Sequence, residues 1–291
     1  MTRPPRRSSW QWTTLLVSLG LAATLGATLY FTASSLPYLA TSPSTDPTFG
    51  ALNACLHGAV PSRTGFAVGR DARRALAWST SQVAHCTLDT DTTRLETWPI
   101  AGVTEGAFDG EGGAWVVSQA SGLSSSLLRL DGETPTVKGE TAAMALAGAA
   151  EGVVVLEPSG RLVAISSEGT VTGATQVPVS RTLELSTSAD GRRVAVTGDG
   201  AVRVYDARTL SPLRLEAPCD VDGFWWLRAG HQALVTCRPD GLGLVLDVET
   251  GAQEAAAPAK RVASVLAGPT GPWVEPCDVL PCTSPPPVDA R

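Results

Sequence analysis

Six cysteines carry the most readily predicted chemistry in this 291-residue chain, and all of them follow an apolar segment near the N terminus. An even number of cysteines in an exported domain favours disulfides formed in an oxidising compartment. A metal site would instead require cysteines at CxxC spacing or clustered histidines, and the chain has neither. We therefore predict disulfides among Cys55, Cys86, Cys219, Cys237, Cys277 and Cys282.

The strand pattern narrows the possible pairings. Cys219 precedes the first strand of a predicted hairpin and Cys237 ends the second, so antiparallel pairing brings these two residues together. Cys277 and Cys282 are close in sequence and could close a small loop, which leaves Cys55 to pair with Cys86. A competing arrangement joins Cys55 to one of the two C-terminal cysteines and locks the ends of the domain together.

Residues suited to catalysis are few. The chain has three histidines, His57, His85 and His231, and none stands at the spacing of a zinc-binding HExxH helix or near a serine in a Gly-x-Ser-x-Gly turn. The acidic pair Asp220 and Asp222 supplies too few oxygen ligands for Ca²⁺, which takes roughly six or more. We therefore predict no catalytic residues, no cofactor and no metal site, and we expect the protein not to be an enzyme.

A recurring pattern predicts the elements that position these residues. Each unit contains a turn, a short apolar strand, a second turn and a β-branched strand, which is typical of hairpins. The units begin about 40 residues apart, the length of one four-stranded propeller blade. Their first turns lie at Asp71, Asp109, Ala150, Asp190 and Gly230, with a truncated sixth unit at Thr270. The sequence therefore predicts an all-β propeller with six four-stranded blades, with five or seven blades as alternatives.

Two strand endings, Tyr205–Thr209 and Leu246–Gly251, resemble those of WD-repeat and YVTN-type β-propellers, and the resemblance extends over most of residues 64–276. No unit combines a Gly-His near its start with a Trp-Asp at the end of a strand, so the repeats are degenerate. The resemblance implies a disc of radially arranged antiparallel sheets. Such discs mostly hold partners and occasionally catalyse a reaction in the central channel.

Closure of the ring requires a further strand, because few residues follow Thr270. Propellers usually close by letting one terminus join the blade begun by the other, which leaves no exposed sheet edge. Residues 48–62, with Leu52, Leu56 and Val60, are the available segment. We expect this segment to complete the last blade.

The N-terminal segment has the character of a membrane anchor. Residues 13–31 carry no charge, and a helix of about twenty such residues spans a hydrocarbon core of about 30 Å. Arg3, Arg6 and Arg7 precede it, which places the N terminus in the cytoplasm and the remaining domain outside. The location is then the inner or plasma membrane, with a periplasmic domain. Cleavage of a signal peptide, followed by secretion, is the alternative.

The chain therefore divides into five predicted segments. These are a cytoplasmic basic N terminus (1–12), a transmembrane signal-anchor helix (13–36), a linker (37–47), the propeller (48–282) and a disordered proline-rich tail (283–291).

Charge limits the partners of this chain. It has 22 basic and 28 acidic residues, a net charge of −6, so the basic face that nucleic-acid binding requires is not expected. We expect a protein or envelope-polymer partner, with membrane attachment through the N-terminal helix. Trp225 and Trp226 are possible interface residues, and burial between blades is the other interpretation. The alternative function is a hydrolase of the lactonase type, with a metal site in the central channel.

Overall fold

The structure is a computed structural model that describes residues 47–255, apart from 72, 91, 120–124, 180–182, 214, 216, 218, 228–229 and 240–241. This part of the chain is all-β except for α1 (Pro47–Ala59). The predicted transmembrane helix (13–36), the sixth unit at Thr270, Cys277, Cys282 and the tail (283–291) lie outside the described residues. Within the described ranges, no helix has the length and apolar character needed to span a bilayer.

The described strands form five antiparallel sheets, and each sheet is a meander of strands that are consecutive in sequence. The first sheet contains β1 (Gly65–Val68), β2 (Arg74–Trp78), β3 (Val83–Leu88) and β4 (Thr93–Trp98). The second contains β5 (Val103–Phe108), β6 (Ala114–Ser118), β7 (Ser125–Leu130) and β8 (Thr136–Thr141). The third contains β9 (Ala145–Ala149), β10 (Gly152–Leu156), β11 (Arg161–Ser166) and β12 (Val171–Gln176). The fourth contains β13 (Glu184–Thr187), β14 (Arg193–Gly198) and β15 (Ala201–Asp206), and the fifth contains β16 (Val221–Trp226), β17 (Gln232–Cys237), β18 (Leu242–Asp247) and β19 (Gln253–Ala255).

The turn that opens each predicted unit joins the first and second strands of one sheet. These turns contain, from the first sheet to the fifth, Asp71, Asp109, Ala150, Asp190 and Gly230. Gly191 and Gly230 have φ angles of +66° and +75°, a region that glycine enters without a steric penalty. Turn residues in the sequence therefore mark the connection between the first and second strands of every described sheet, so each sheet begins one strand before the predicted unit.

Each described sheet packs face to face on the next. On β2, Leu76 and Trp78 belong to the apolar cluster shared with the second sheet, whereas Ala75 and Ala77 lie on the opposite face. Three further clusters join the second sheet to the third, the third to the fourth and the fourth to the fifth. The first strands of the first four sheets are neighbours in space. This succession of meanders around a common centre is a propeller-like arrangement.

The expectation that residues 48–62 form a closing strand is wrong. This segment contains α1, and Leu52, Leu56 and Val60 pack against the first sheet. These side chains are four residues apart, which places them on one face of a helix. The helix covers the face of the first sheet that lies away from the second sheet.

The fourth sheet departs from the predicted four strands, because three are present in its described part. After β15 the chain passes through Pro212, which has no N–H to donate to a ladder. Pairing there consists of a bridge between Tyr205 and Pro212 and a hydrogen bond of 2.8 Å from Leu213 N to Val204 O. Leu213 and Leu215 join the apolar cluster between the fourth and fifth sheets.

Replacement of Leu56 by alanine tests the packing of α1. Leu56 has no exposed surface, so Leu56→Ala should lower the free energy of unfolding by about 2–5 kcal/mol. The matched control is Leu95→Ala on β4, where the side chain is 47% exposed and the loss should stay below about 1 kcal/mol. Urea unfolding of both variants provides the measurement. Equal losses for the two leucines would contradict the docking of α1.

Candidate functional site

The first turns of the five sheets meet on one side of the domain, which we call the turn face. A hydrogen bond links each turn to the next. From the first sheet to the fifth, the links are Arg74 Nη1 to Glu111 O (3.2 Å), Gly110 N to Ala149 O (2.7 Å), Ala150 N to Gly191 O (2.9 Å) and Arg193 Nη1 to Gly230 O (3.0 Å). The turns therefore form one continuous polar layer above the apolar clusters.

Arg70 reaches across the turn face from the first sheet. Its Nη2 donates a hydrogen bond of 2.6 Å to the carbonyl of Gly148 in the third sheet, and its guanidinium also borders Gly191 in the fourth. Burial lowers the pKa of Arg70, while the charges of Asp190 and Asp109 oppose this shift. A side chain at Gly191 would occupy the space of the guanidinium. Arg70 thus connects three sheets through the middle of the turn face.

Asp109 is a structural acceptor and not an available reactive group. Its Oδ1 accepts hydrogen bonds from the main-chain N–H groups of Glu111 (3.0 Å) and Gly113 (2.7 Å). Its Oδ2 accepts a bond of 2.9 Å from Trp115 Nε1 and lies 3.7 Å from Arg129 Nη2. The residue is 2% exposed, so these contacts compensate a buried carboxylate.

Asp206 and Asp247, at the strand endings that resemble WD repeats, also have structural roles. Oδ1 of Asp206 accepts from the N–H of Arg208 (3.0 Å) and of Thr209 (2.8 Å). Oδ1 of Asp247 accepts in the same way from the two equivalent residues that follow it. Burial acts to raise the pKa of Asp206, but the hydrogen bonds from Thr209 and Arg208 hold it below its usual value. Both aspartates therefore cap the turns that follow the third strands.

An open cleft of about 330 Å³ lies between the third and fourth sheets at the turn face. Its walls are small and apolar, and its rim carries charged side chains. The lining residues are Ala149, Ala150, Glu151, Val153, Ala164, Ile165, Thr172, Gly191, Arg192, Asp206, Ala207 and Arg208. This volume is near the lower end of the range found for ligand sites. A pocket of this size accommodates a few small chemical groups and not the surface of a folded protein.

The rim of the cleft has a fixed main chain and exposed guanidinium groups. Arg208 Nη1 lies 3.3 Å from Glu151 Oε2, and these side chains are 66% and 64% exposed. The carbonyl of Arg208 accepts from Thr172 Oγ1 at 2.9 Å, and the carbonyl of Arg192 accepts from Ala207 N at 2.8 Å. The main chain at Arg192 and Arg208 is therefore held in place, and both guanidinium groups project from it at the cleft.

The groups around the cleft favour recognition by charge and shape. Guanidinium groups supply hydrogen-bond donors in a fixed fork, and the walls supply methyl groups. In residues 47–255, with the gaps stated above, no three His, Cys, Asp or Glu side chains are grouped so that they could hold a metal ion.

The disulfides of the described region join the pairs that the strand pattern favoured. Cys55 of α1 is bonded to Cys86 of β3, with 6.3 Å between their Cα atoms. Cys219 is bonded to Cys237 at the end of β17, with a Cα separation of 5.6 Å. Cys55 is therefore not paired with a C-terminal cysteine.

The tryptophans predicted as possible interface residues lie away from the cleft. Trp226 is 1% exposed and packs edge to face on Phe224, with 5.1 Å between ring centroids. Because Trp226 is buried between the fourth and fifth sheets, it offers no ring surface to a partner. Trp225 is half-buried and packs against the buried Leu227 and Leu234 on the opposite face of the fifth sheet.

Of the described histidines, His85 is the most enclosed. Its Nδ1 lies 3.4 Å from Glu96 Oε2, and its ring contacts Phe108 at a centroid distance of 5.4 Å. Burial lowers the pKa of His85, and the neighbouring Glu96 partly opposes that shift. His57 is exposed on α1, and His231 lies 3.8 Å from an oxygen of Asp247.

Sequence reasoning missed the cleft and its charged residues. Glu151, Arg192 and Arg208 come from three separate turns, and each has the composition of an ordinary solvated turn residue. One feature of the sequence could have indicated a charged site. Arg192 and Arg193 are adjacent after a glycine turn, and two neighbouring cations require two separate anionic partners.

Comparison with known proteins gives structural similarity only. No protein-family model matches the chain. A search of curated proteins also finds no match. A functionally unknown protein from Desulfotomaculum acetoxidans has a TM-score of 0.49 and 10% identity, covering 66% of this chain and 68% of its own.

Two further solved structures show similarity at lower scores. The mitotic checkpoint complex gives a TM-score of 0.45 at 15% identity, with 65% of this chain and 61% of that chain covered. Hsv2 of Kluyvelomyces marxianus gives 0.41 at 11% identity, with coverage of 65% and 60%. This chain thus spans less than two thirds of either protein, and similarity at this level assigns no function.

Replacement of Asp109 tests the polar layer of the turn face. Asp109→Ala should lower the free energy of unfolding by about 3–5 kcal/mol, because Trp115 Nε1 and Arg129 lose a buried acceptor. Asp71→Ala is the matched control at the equivalent turn of the first sheet. The Asp71 side chain is 42% exposed, so its loss should stay below about 1 kcal/mol. Urea unfolding that ranks the two losses in the reverse order would refute the structural role of Asp109.

The partly buried His85 should make stability depend on pH. Because its pKa is lower in the folded state, the unfolded chain binds the proton more readily. The contribution is fully present above about pH 6.5 and is lost as pH falls through the folded-state pKa. His85→Gln should reduce this acid-side loss in unfolding measurements from pH 7.5 to 5, whereas His57→Gln should retain it. Identical profiles for wild type and His85→Gln would exclude this contribution.

Proposed function

We propose that this protein is a non-catalytic, propeller-like module that holds a protein or envelope-polymer partner outside the cytoplasm. The observation that carries the proposal is the open cleft between the third and fourth sheets, with its apolar walls and charged rim. Arg70 and Arg193 on the turn face are engaged in bonds between sheets, and Asp109 accepts hydrogen bonds within the second sheet. At the cleft, by contrast, Arg208 and Glu151 form an exposed ion pair and Arg192 is exposed.

Two features support the proposed location: the disulfides and the composition of the N-terminal segment. The Cys55–Cys86 and Cys219–Cys237 disulfides indicate an oxidising, extracytoplasmic or secreted location. The uncharged segment 13–36, preceded by arginines, supports attachment to the inner or plasma membrane with the propeller-like domain outside. A tethered module of this kind would act as a scaffold or accessory subunit of an envelope complex.

Binding is favoured over the hydrolase alternative by the position of Arg70. Its guanidinium lies in the middle of the turn face, where it bonds to Gly148 and borders Gly191. A substrate would therefore have to displace a half-buried arginine to enter a central channel from this side. The cleft offers direct access without such a rearrangement.

Site-directed photocrosslinking in the native membrane tests the proposed function. A photoreactive residue replaces Thr172 at the rim of the cleft in the full-length chain. Irradiation should give an adduct of reproducible mass in the membrane fraction. The control places the same residue at Arg161, at the other end of the third sheet, where no such adduct is expected.

Two results would contradict the proposal. The same adducts from both positions, or none from Thr172, would argue against a partner at the cleft. Recovery of an N-terminally shortened chain in the soluble extracytoplasmic fraction would show that the N-terminal segment is a cleaved signal peptide and not a membrane tether.

A further inference from the structure

We propose that an uncharged segment near the C terminus, residues 262–274, docks on the face of the fifth sheet that lies away from the fourth sheet. The segment belongs to this chain and lies outside the described residues. This inference does not rest on the proposed function, because the surface concerned is separate from the cleft. It names the part of the chain that covers the last described sheet.

A row of apolar side chains crosses this face of the fifth sheet. Trp225, Leu234 and Val245 are direct partners in the register of β16, β17 and β18, so their side chains lie side by side. Leu234 is 4% exposed, and the half-buried Trp225 and Val245 pack against it. A side chain at Gly223 would occupy the space of the Trp225 ring, so this ring lies along its own strand. The face therefore presents a continuous apolar surface to the element that covers it.

The other described sheets show how such a face is covered. Every other apolar cluster of the described region joins two elements, which are either neighbouring sheets or α1 and the first sheet. The cluster on this face differs, because in the described ranges it contains residues of the fifth sheet and of the turn after β16 alone. At the first sheet, the outer face is covered by α1, which precedes the first strand. The segment that follows the last strand has the corresponding position at the fifth sheet.

The end of the described chain is close to this face. The chain leaves the fifth sheet at Ala255, in its outer strand β19. Neighbouring strands are about 4.8 Å apart, so about 14 Å separate β19 from β16, the far strand of the sheet. The connecting residues 256–261 can extend over about 20 Å, which is enough for the segment to reach every strand. A connection this short gives an effective concentration on the order of millimolar, which favours this segment over a second copy or a separate partner.

The composition of the segment suits an apolar surface. Lys260 and Arg261 precede it and Glu275 follows it, whereas residues 262–274 carry no charge. Its large apolar side chains are Val262, Val265, Leu266, Trp273 and Val274. Removal of such side chains from water is favourable in proportion to the apolar area that is buried. A segment of this composition therefore gains more free energy on the apolar face of the fifth sheet than on the polar turn face.

Site-directed photocrosslinking of the full-length chain in nanodiscs tests the docking. Val245 is replaced by a photoreactive residue, and the irradiated protein is digested and analysed by mass spectrometry. The crosslinked peptide should contain residues from 262–274 of the same chain, with a yield that is independent of protein concentration. The matched control is Val137 on β8, a valine that is 63% exposed, where this crosslink should be absent.

Two substitutions test the apolar character of the contact. Leu266→Asp places a carboxylate in the segment, so it should lower the crosslink yield about tenfold or more, since burial of an unpaired charge is unfavourable. Val288→Asp lies beyond the segment and should leave the yield unchanged. A crosslink to another part of the chain, to a second copy or to another protein, or the absence of any crosslink, would overturn the inference, as would an unchanged yield in Leu266→Asp. The identity of the wild-type crosslink decides the question even if a variant fails to fold.

Discussion

Burial of the inner strands on both faces is the constraint on which the rest of the structure depends. Successive side chains of a strand lie on opposite faces, yet all five residues of β6 are buried. A sheet of this composition requires an apolar neighbour on each side, and stacking of consecutive meanders supplies one. The second sheet covers one face of the first, and α1 covers the other through Leu52 and Leu56.

The same constraint directs polar chemistry to the turns. Because the inner strands are occupied by packing on both faces, many charged side chains lie where the chain reverses, and there they bond within a sheet or to another sheet. Asp109 is engaged within the second sheet, whereas Arg129 and Arg70 also reach other sheets. We place the proposed partner at the third and fourth sheets because exposed charged side chains border the cleft there.

The sequence predicts the repeating part of the fold well, because its signals are local. Turn residues such as Asp190-Gly191 mark the connection between the first two strands of a sheet, and β2 and β10 have the limits that strand alternation suggests. Prediction failed where another demand took precedence. Residues 48–62 were predicted to close the ring as a strand, although the four-residue spacing of Leu52, Leu56 and Val60 is typical of a helix. In the described part of the fourth sheet, Pro212 interrupts the pairing that a regular fourth strand would need.

The site was much less accessible from sequence. Its charged residues are brought together by packing between sheets, and nothing in the local pattern separates Arg208 from other exposed arginines. The aspartates were identifiable as turn residues. The role of Asp109 depends on Trp115 and Arg129, which lie opposite each other in the register of β6 and β7, and the sequence pattern alone did not identify that pairing.

The bond between Cys55 and Cys86 also has a mechanical consequence. Tension applied through the chain before Pro47 would pass from α1 directly into β3 across the sulfur atoms. The intervening residues, including β1 and β2, form a covalently closed loop that carries none of this load. A pull from the N-terminal side thus reaches the domain at β3, which pairs with β2 and β4, so α1 cannot be peeled beyond Cys55 while the disulfide is intact.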